Sequence, residues 1–202
     1  MTLSRSIRVT SPGRSSATSL DVAVSRSGLI VWRESDRRVL VVAAALAIVL
    51  GVVVSALWIV FGTARVNGMS MKPALLDQDL VLITRGYDEP ARGDIVSATV
   101  PDEHGRPVGI LKRVVGLPGD TVDVHGDSVA VNGVPVPPPT GEARTYGPRF
   151  PQVVVPDGHV YLLGDNRFRS YDSRILGPVP QAAVRGRVAA IVLPFSRFSI
   201  ID

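Results

Sequence analysis

Apolar positions fall along this chain in two different rhythms. From Val39 to Phe61 the sequence runs VLVVAAALAIVLGVVVSALWIVF, twenty-three residues without a charge. At 1.5 Å per residue this is roughly 35 Å of helix, enough to cross a hydrocarbon core of roughly 30 Å with some tilt. A soluble core helix of this length is rarely apolar on every side, and a cleaved signal sequence has an apolar stretch of only about 7 to 15 residues. The pattern therefore predicts one transmembrane helix over 39–61, with Trp58 near its C-terminal end, where an indole suits the membrane interface.

Beyond the span the rhythm shortens to β-rich runs bounded by turn signals: Asp79 to Thr84, Asp94 to Val100, Gly109 to Val115, Thr121 to Val124, Ser128 to Val131, His159 to Leu163 and Arg187 to Leu193. His125-Gly126-Asp127 and Asn132-Gly133 are turn formers, so residues 121–136 read as strand, turn, strand, turn. Pro135 to Pro139 reads as an extended loop poor in hydrogen bonds. No internal repeat and no three-turn helical period follows the span. Residues 62–202 have the size of one domain, and the pattern predicts that it is mainly β.

Charge adds an orientation. Residues 1–38 carry seven arginines against three acids, whereas the chain after Phe61 carries fifteen residues of each sign, so the tail holds the whole net charge of +4. Arg37 and Arg38 abut the span. The positive-inside rule then puts the tail in the cytoplasm and the C-terminal part outside. The basic pI gives no reason to expect a nucleic-acid partner. The tail is rich in Ser, Thr and Arg, which predicts disorder up to the Gly28-Leu29-Ile30-Val31-Trp32 patch, and it can meet anionic lipid. The chain has no cysteine, which excludes thiol catalysis, disulfides and cysteine-based zinc sites. His104, His125 and His159 stand in turn-like contexts and read as surface residues, so neither a metal site nor a histidine-based triad is expected.

Only two of the twenty-two basic residues are lysine, Lys72 and Lys112. A buried lysine can shed its proton and act as a base, which an arginine cannot. Lys112 lies in the apolar run Leu111-Lys112-Arg113-Val114-Val115-Gly116-Leu117-Pro118-Gly119-Asp120, where partial desolvation would depress its pKa; alternatively it snorkels to solvent or pairs with Asp94. Ser70, in Gly68-Met69-Ser70-Met71-Lys72-Pro73, is nine residues past Phe61, at most about 30 Å of extended chain from the membrane. A lone serine in such a loop is more often a turn residue than a nucleophile. Lys72 is the nearer lysine in sequence, but the penicillin-binding pattern needs lysine three residues after serine, where Pro73 stands. The third string, Gly164-Asp165-Asn166-Arg167-Phe168-Arg169-Ser170-Tyr171-Asp172-Ser173-Arg174, packs polar groups directly after an apolar strand and suits a network that fixes other groups. Met69 and Met71, with Leu75 and Leu76, read either as substrate groove or membrane contact, or as ordinary core.

Together these strings, with Arg92-Gly93-Asp94-Ile95-Val96 and Tyr161-Leu162-Leu163, resemble the motifs of bacterial type I signal peptidase over about residues 60–200. The resemblance implies a membrane-anchored serine endopeptidase that removes signal peptides outside the cytoplasmic membrane, with a signal-peptidase-like β-domain following the single span. It implies Ser70 as nucleophile and Lys112 as general base, Ser170 orienting the Lys112 amine, Asp172 and Arg174 as a supporting ion pair, and Asp165 and Asn166 as scaffold. Some family members carry a hydroxyl two residues before the nucleophile. Here that position is Gly68, so the oxyanion donors reduce to backbone N–H groups, those of Ser70 and Gly68, or to Asn67. Ala74 stands where the family often has threonine. The resemblance further implies small residues, often alanine, at the first and third positions before the cut, no metal or organic cofactor, and preproteins, the bilayer and the secretion machinery as partners. Two other readings fit the residues: a Ser/Lys peptidase with one dedicated substrate, and a catalytically silent membrane-anchored module that binds exported chains.

Overall fold

The computed structural model of the chain describes residues 34–87, 89–139 and 147–201, together with two short strands in the tail. These strands, β1 (Ala23–Val24) and β2 (Ile30–Val31), pair antiparallel. The remainder of the tail, for which disorder is expected, lies outside the described residues. Next comes α1 (Glu34–Val60), of which Arg37–Val60 is long and apolar enough to cross a membrane, with a mean hydropathy of 3.0 over its 18-residue window and none of that window buried. The helix extends ahead of the expected span of 39–61 and ends one residue before it does. The helix begins at Glu34, and Phe61 leaves it to pair with Thr84 as the first residue of strand β3 (Phe61–Arg65).

The β-domain is a compact unit beginning at Leu57. After β3 come β4 (Leu80–Arg85), β5 (Ile95–Pro101), β6 (Pro107–Gly116), β7 (Thr121–His125), β8 (Ser128–Val131), β9 (Val134–Val136), β10 (Val153–Val154) and β11 (His159–Leu163). A four-residue helix, α2 (Ser173–Leu176), is followed by β12 (Val179–Pro180), β13 (Val184–Leu193) and β14 (Ser199–Ile200). The larger sheet runs β12-β11-β6-β5-β13-β4-β3, with β14 pairing β13, and the smaller runs β10-β7-β8-β9. The domain is mainly β, as its alternating pattern predicts. Val134–Val136 departs from the loop expectation: it pairs with β8 as the edge strand of the small sheet, a position where Pro135 removes no interior ladder bond.

Three apolar clusters hold these layers. Val66, Met71, Leu75, Val81, Ile95 and Val188 pack together between β4, β5, β13 and the loop after β3. Val96, Val114, Val160 and Leu162 pack on the central strands, and Val122, Val124, Val131, Tyr161 and Leu163 join the small sheet to β11. The central strands β6 and β11 are thus supported from several sides. The loop after β3 and the segment after β11 are carried by this rigid middle.

Candidate active site

The loop between β3 and β4 is pinched at its base, where Val66 N–H donates to Asp79 O and Gln78 N–H to Val66 O, both at 2.8 Å. Inside it, Met71 and Leu75 are buried and anchor the loop to the core, while Leu75 N–H donates to Met71 O at 2.9 Å. Ser70 rides on this anchor, half-buried. Of the two methionines read either as groove or membrane contact or as core, Met71 is core, at 1% exposure, and Met69 is exposed at 40%. The chain turns here, with Lys72 N–H donating to Met69 O at 3.2 Å, so Met69 and Met71 lie on different sides of the turn. Gly68, with φ of +89°, donates its N–H to Asp77 Oδ1 at 2.7 Å. The Gly68 amide is therefore committed to a carboxylate, which corrects its candidacy as an oxyanion donor. This bond, first among the causes, holds the Asp77 carboxyl below its ordinary range.

Lys112 sits in β6 opposite Val96 of β5 and is 4% exposed. Its Nζ lies 3.0 Å from Ser70 Oγ and donates to Leu111 O at 2.9 Å. The alternative partner, Asp94, is taken by the Tyr87 hydroxyl, by Ala91 N–H at 2.8 Å and by Arg187 at 3.3 Å. Burial pushes the Lys112 amine below its ordinary value of 10.5, against an opposing pull from Asp172 and Asp165. Both carboxylates are already paired with guanidinium groups, so neither is a free counter-ion for Lys112. Asp165 takes the Arg113 fork at 2.8 and 2.7 Å, and Asp172 takes the Arg174 fork at 2.8 and 2.9 Å. Bidentate pairing of this kind is the strong form of charged hydrogen bond.

The segment after β11 holds the Ser70 loop in place. Asn166 N–H donates to Ser70 O at 2.9 Å, so Asn166 acts through its backbone. Gly164 N–H donates to Asp172 Oδ2 at 2.9 Å, and Asp172 is wholly buried. Gly164 is also the point of closest approach: a Cβ there would lie 2.2 Å from Ser170 Oγ and 2.6 Å from Ser70 O. Ser170 Oγ itself is buried and makes no hydrogen bond, so the bond to Lys112 that the resemblance implies is not formed in this structure. Lys72 is exposed.

Three residues were quoted within the motifs without a role. Arg113 clamps Asp165 and also donates to Gly93 O at 2.6 Å. Buried Arg167 donates to Gly164 O at 3.0 Å and to Asp127 O at 3.1 Å, tying the segment after β11 to the turn of the small sheet. Gly164 supplies the space just described. A sequence signal existed for Arg113 alone: an arginine next to a candidate base in a β run points to the opposite face of the sheet. Among the described residues no group of three metal-ligating side chains gathers.

What this arrangement can do is activate a hydroxyl. A neutral amine 3.0 Å from Ser70 Oγ is within reach to take its proton, and the surrounding ion pairs fix both partners. A family model described as signal peptidase, peptidase S26, matches residues 38–193. Signal peptidase I of Bacillus licheniformis is 35% identical over 170 residues, covering 78% of this chain and 89% of that protein. Mitochondrial inner membrane protease subunit 1 of Xenopus tropicalis is 37% identical over 135 residues, covering 65% and 69%. A solved signal peptidase I from Enterococcus faecalis V583 aligns with a TM-score of 0.41 at 32% identity, over 50% of this chain and 97% of that one.

Proposed function

The chain belongs to the signal peptidase family S26 and is a membrane-anchored serine endopeptidase of the type I signal peptidase kind, and we propose that it cleaves N-terminal signal peptides from exported preproteins with Ser70 as nucleophile and Lys112 as general base. The observation that carries the mechanism is the 3.0 Å approach of a buried lysine amine to a half-buried serine hydroxyl. Neutral Lys112 accepts the Ser70 proton as Oγ attacks the scissile carbonyl. The resulting ammonium then protonates the leaving amine, which departs as the mature chain's new N-terminus. A water, deprotonated in turn by Lys112, attacks the Ser70 ester and releases the signal peptide's carboxylate.

The developing oxyanion needs a donor, and the Ser70 backbone N–H is the one we assign. With Gly68 N–H bound to Asp77, a second donor comes from Asn67 or from the substrate-bound state. Asp165-Arg113 and Asp172-Arg174 act as positioning pairs, holding the segment whose Asn166 N–H grips the nucleophile's carbonyl. We assign Ser170, whose buried Oγ packs beside Gly164 without a partner, the orienting of the amine once it turns to Lys112. The catalytic domain works outside the cytoplasmic membrane, with the arginine-rich tail inside, by the charge rule already given.

The test is cleavage of a purified precursor with an Ala-x-Ala signal peptide by the detergent-solubilised full chain, beside its Ser70→Ala variant, with sequencing of the product's new N-terminus. Cutting after the second alanine by the wild type alone is expected. No cutting by a folded wild type in lipid would overturn the general signal-peptide role and favour a dedicated substrate or a silent binding module.

A further inference from the structure

The last turn of α1 and the first strands of the β-domain form an apolar groove that shares no residue with the Ser70, Lys112 and Gly164 segments. Leu57, Trp58, Phe61, Gly62, Thr63 and Leu82 line it, around a volume of about 160 Å³. Its floor is the β3/β4 pair, where Thr63 stands opposite Leu82. Trp58 is 66% exposed at its rim. No charged side chain enters the lining, and Thr63 is its one polar residue, so the interior suits an apolar ligand.

A cation waits at its edge. Arg85, at the end of β4, is exposed and donates from NH1 to Trp58 O at 3.0 Å, satisfying one of the carbonyls that a helix C-terminus leaves open. Gly62 provides the seat for this guanidinium, since a Cβ there would lie 3.1 Å from Arg85 Nε and 3.4 Å from the second terminal nitrogen. Arg85 makes no ion pair among the described residues, and it is exposed. A planar fork of this kind matches a phosphodiester, and tryptophan is at home at the depth where acyl chain meets headgroup.

We propose that this groove binds one anionic phospholipid, with an acyl chain between Trp58, Phe61 and Leu82 and the phosphodiester on Arg85. Three observations converge on that occupant. The groove begins in the last turn of a membrane-spanning helix, so it opens where the hydrocarbon core ends. Its lining is apolar, and the cation stands at its mouth with a side chain held by two neighbours. A bound lipid would seat Phe61–Arg65 on the membrane surface and, through the short connection from Arg65 to Ser70, set the height of the nucleophile. The inference rests on α1 being a span and not on the peptidase chemistry, so Ser70→Ala must bind the lipid as the wild type does.

Native mass spectrometry of the full chain, released from micelles doped equally with phosphatidylglycerol and phosphatidylcholine, tests it. One phosphatidylglycerol is expected to remain bound in preference to phosphatidylcholine. Arg85→Gln and Gly62→Leu should each weaken its retention on the order of tenfold, the scale of a lost hydrogen bond to a charged group. Arg65→Gln, at the other end of β3, should leave retention unchanged. Equal retention of both lipids, retention unaffected by both variants, or displacement of the lipid by precursor with the same variants weakening precursor binding would overturn the assignment; the last outcome would make the groove a substrate site.

Discussion

Replacing Gly164 by alanine adds one methyl group at the tightest point of the site. The new Cβ would lie 2.2 Å from Ser170 Oγ, 2.5 Å from Ser170 Cβ and 2.6 Å from Ser70 O. Carbon and oxygen need more than 3 Å, so at least two of these neighbours must move by the better part of an ångström. Ser70 O cannot yield alone, because Asn166 N–H holds it at 2.9 Å. The strain falls on the nucleophile's own peptide. Overpacking of this kind typically costs about 1–3 kcal/mol of stability, which a domain with about 5–15 kcal/mol in hand survives. A misplacement of about 1 Å at a reacting group costs about a hundredfold in rate. Gly164→Ala should therefore lose about a hundredfold in kcat/KM on a signal-peptide precursor while keeping its circular dichroism and a cooperative unfolding transition. Gly109→Ala, in the same sheet with open space around its Cβ, should stay near wild type and serves as the control. Wild-type kcat/KM in Gly164→Ala would refute the claim that this contact sets the position of Ser70.

Lys112→Arg should abolish turnover because guanidinium cannot accept the proton, whereas Lys72→Arg, at an exposed position, should be nearly silent in the same precursor assay. Met71→Ala should cost about 2–5 kcal/mol in denaturant unfolding, whereas Met69→Ala should stay within about 0.5 kcal/mol. The pH dependence follows from Lys112, whose folded-state pKa is lowered by burial. Activity should fall as pH drops through that lowered value, because the base becomes charged. Stability moves the same way: between the folded value and 10.5 the unfolded chain binds more protons, so unfolding free energy rises with pH across that window. Lys112→Met should remove this slope in a pH series of denaturant titrations.

The strands of the β-domain were legible because valine-rich alternation carries its own period, and β8 and β11 have the predicted ends. Phe61 was not, because an apolar residue at the end of a span looks the same whether it continues the helix or opens a strand. The two-residue strands β10, β12 and β14 are too short to show a period and exist only through their partners. Pro135 disguised β9, since proline argues against a strand unless that strand is an edge. Within the site, motif spacing led to Ser70 and Lys112, but their 3.0 Å approach joins two elements 42 residues apart, which no local pattern encodes. Arg167 and Gly164 matter through what they touch, a carbonyl on one side and Ser170 on the other, and Met71 differs from Met69 only in which side of the loop it faces.

The chain's two lysines allow the central claim to be measured with little ambiguity. Selective carbon-13 labelling of lysine gives two ε-methylene signals, and Lys72→Arg assigns them by removing one. The pH titration of the remaining signal, in the detergent-solubilised full chain, reads the Lys112 amine directly. A midpoint below 10.5 is expected, coinciding with the acid limb of kcat/KM. A Lys112 that stays protonated up to 10.5 or beyond, in a sample that still cleaves precursor, would contradict its role as the base.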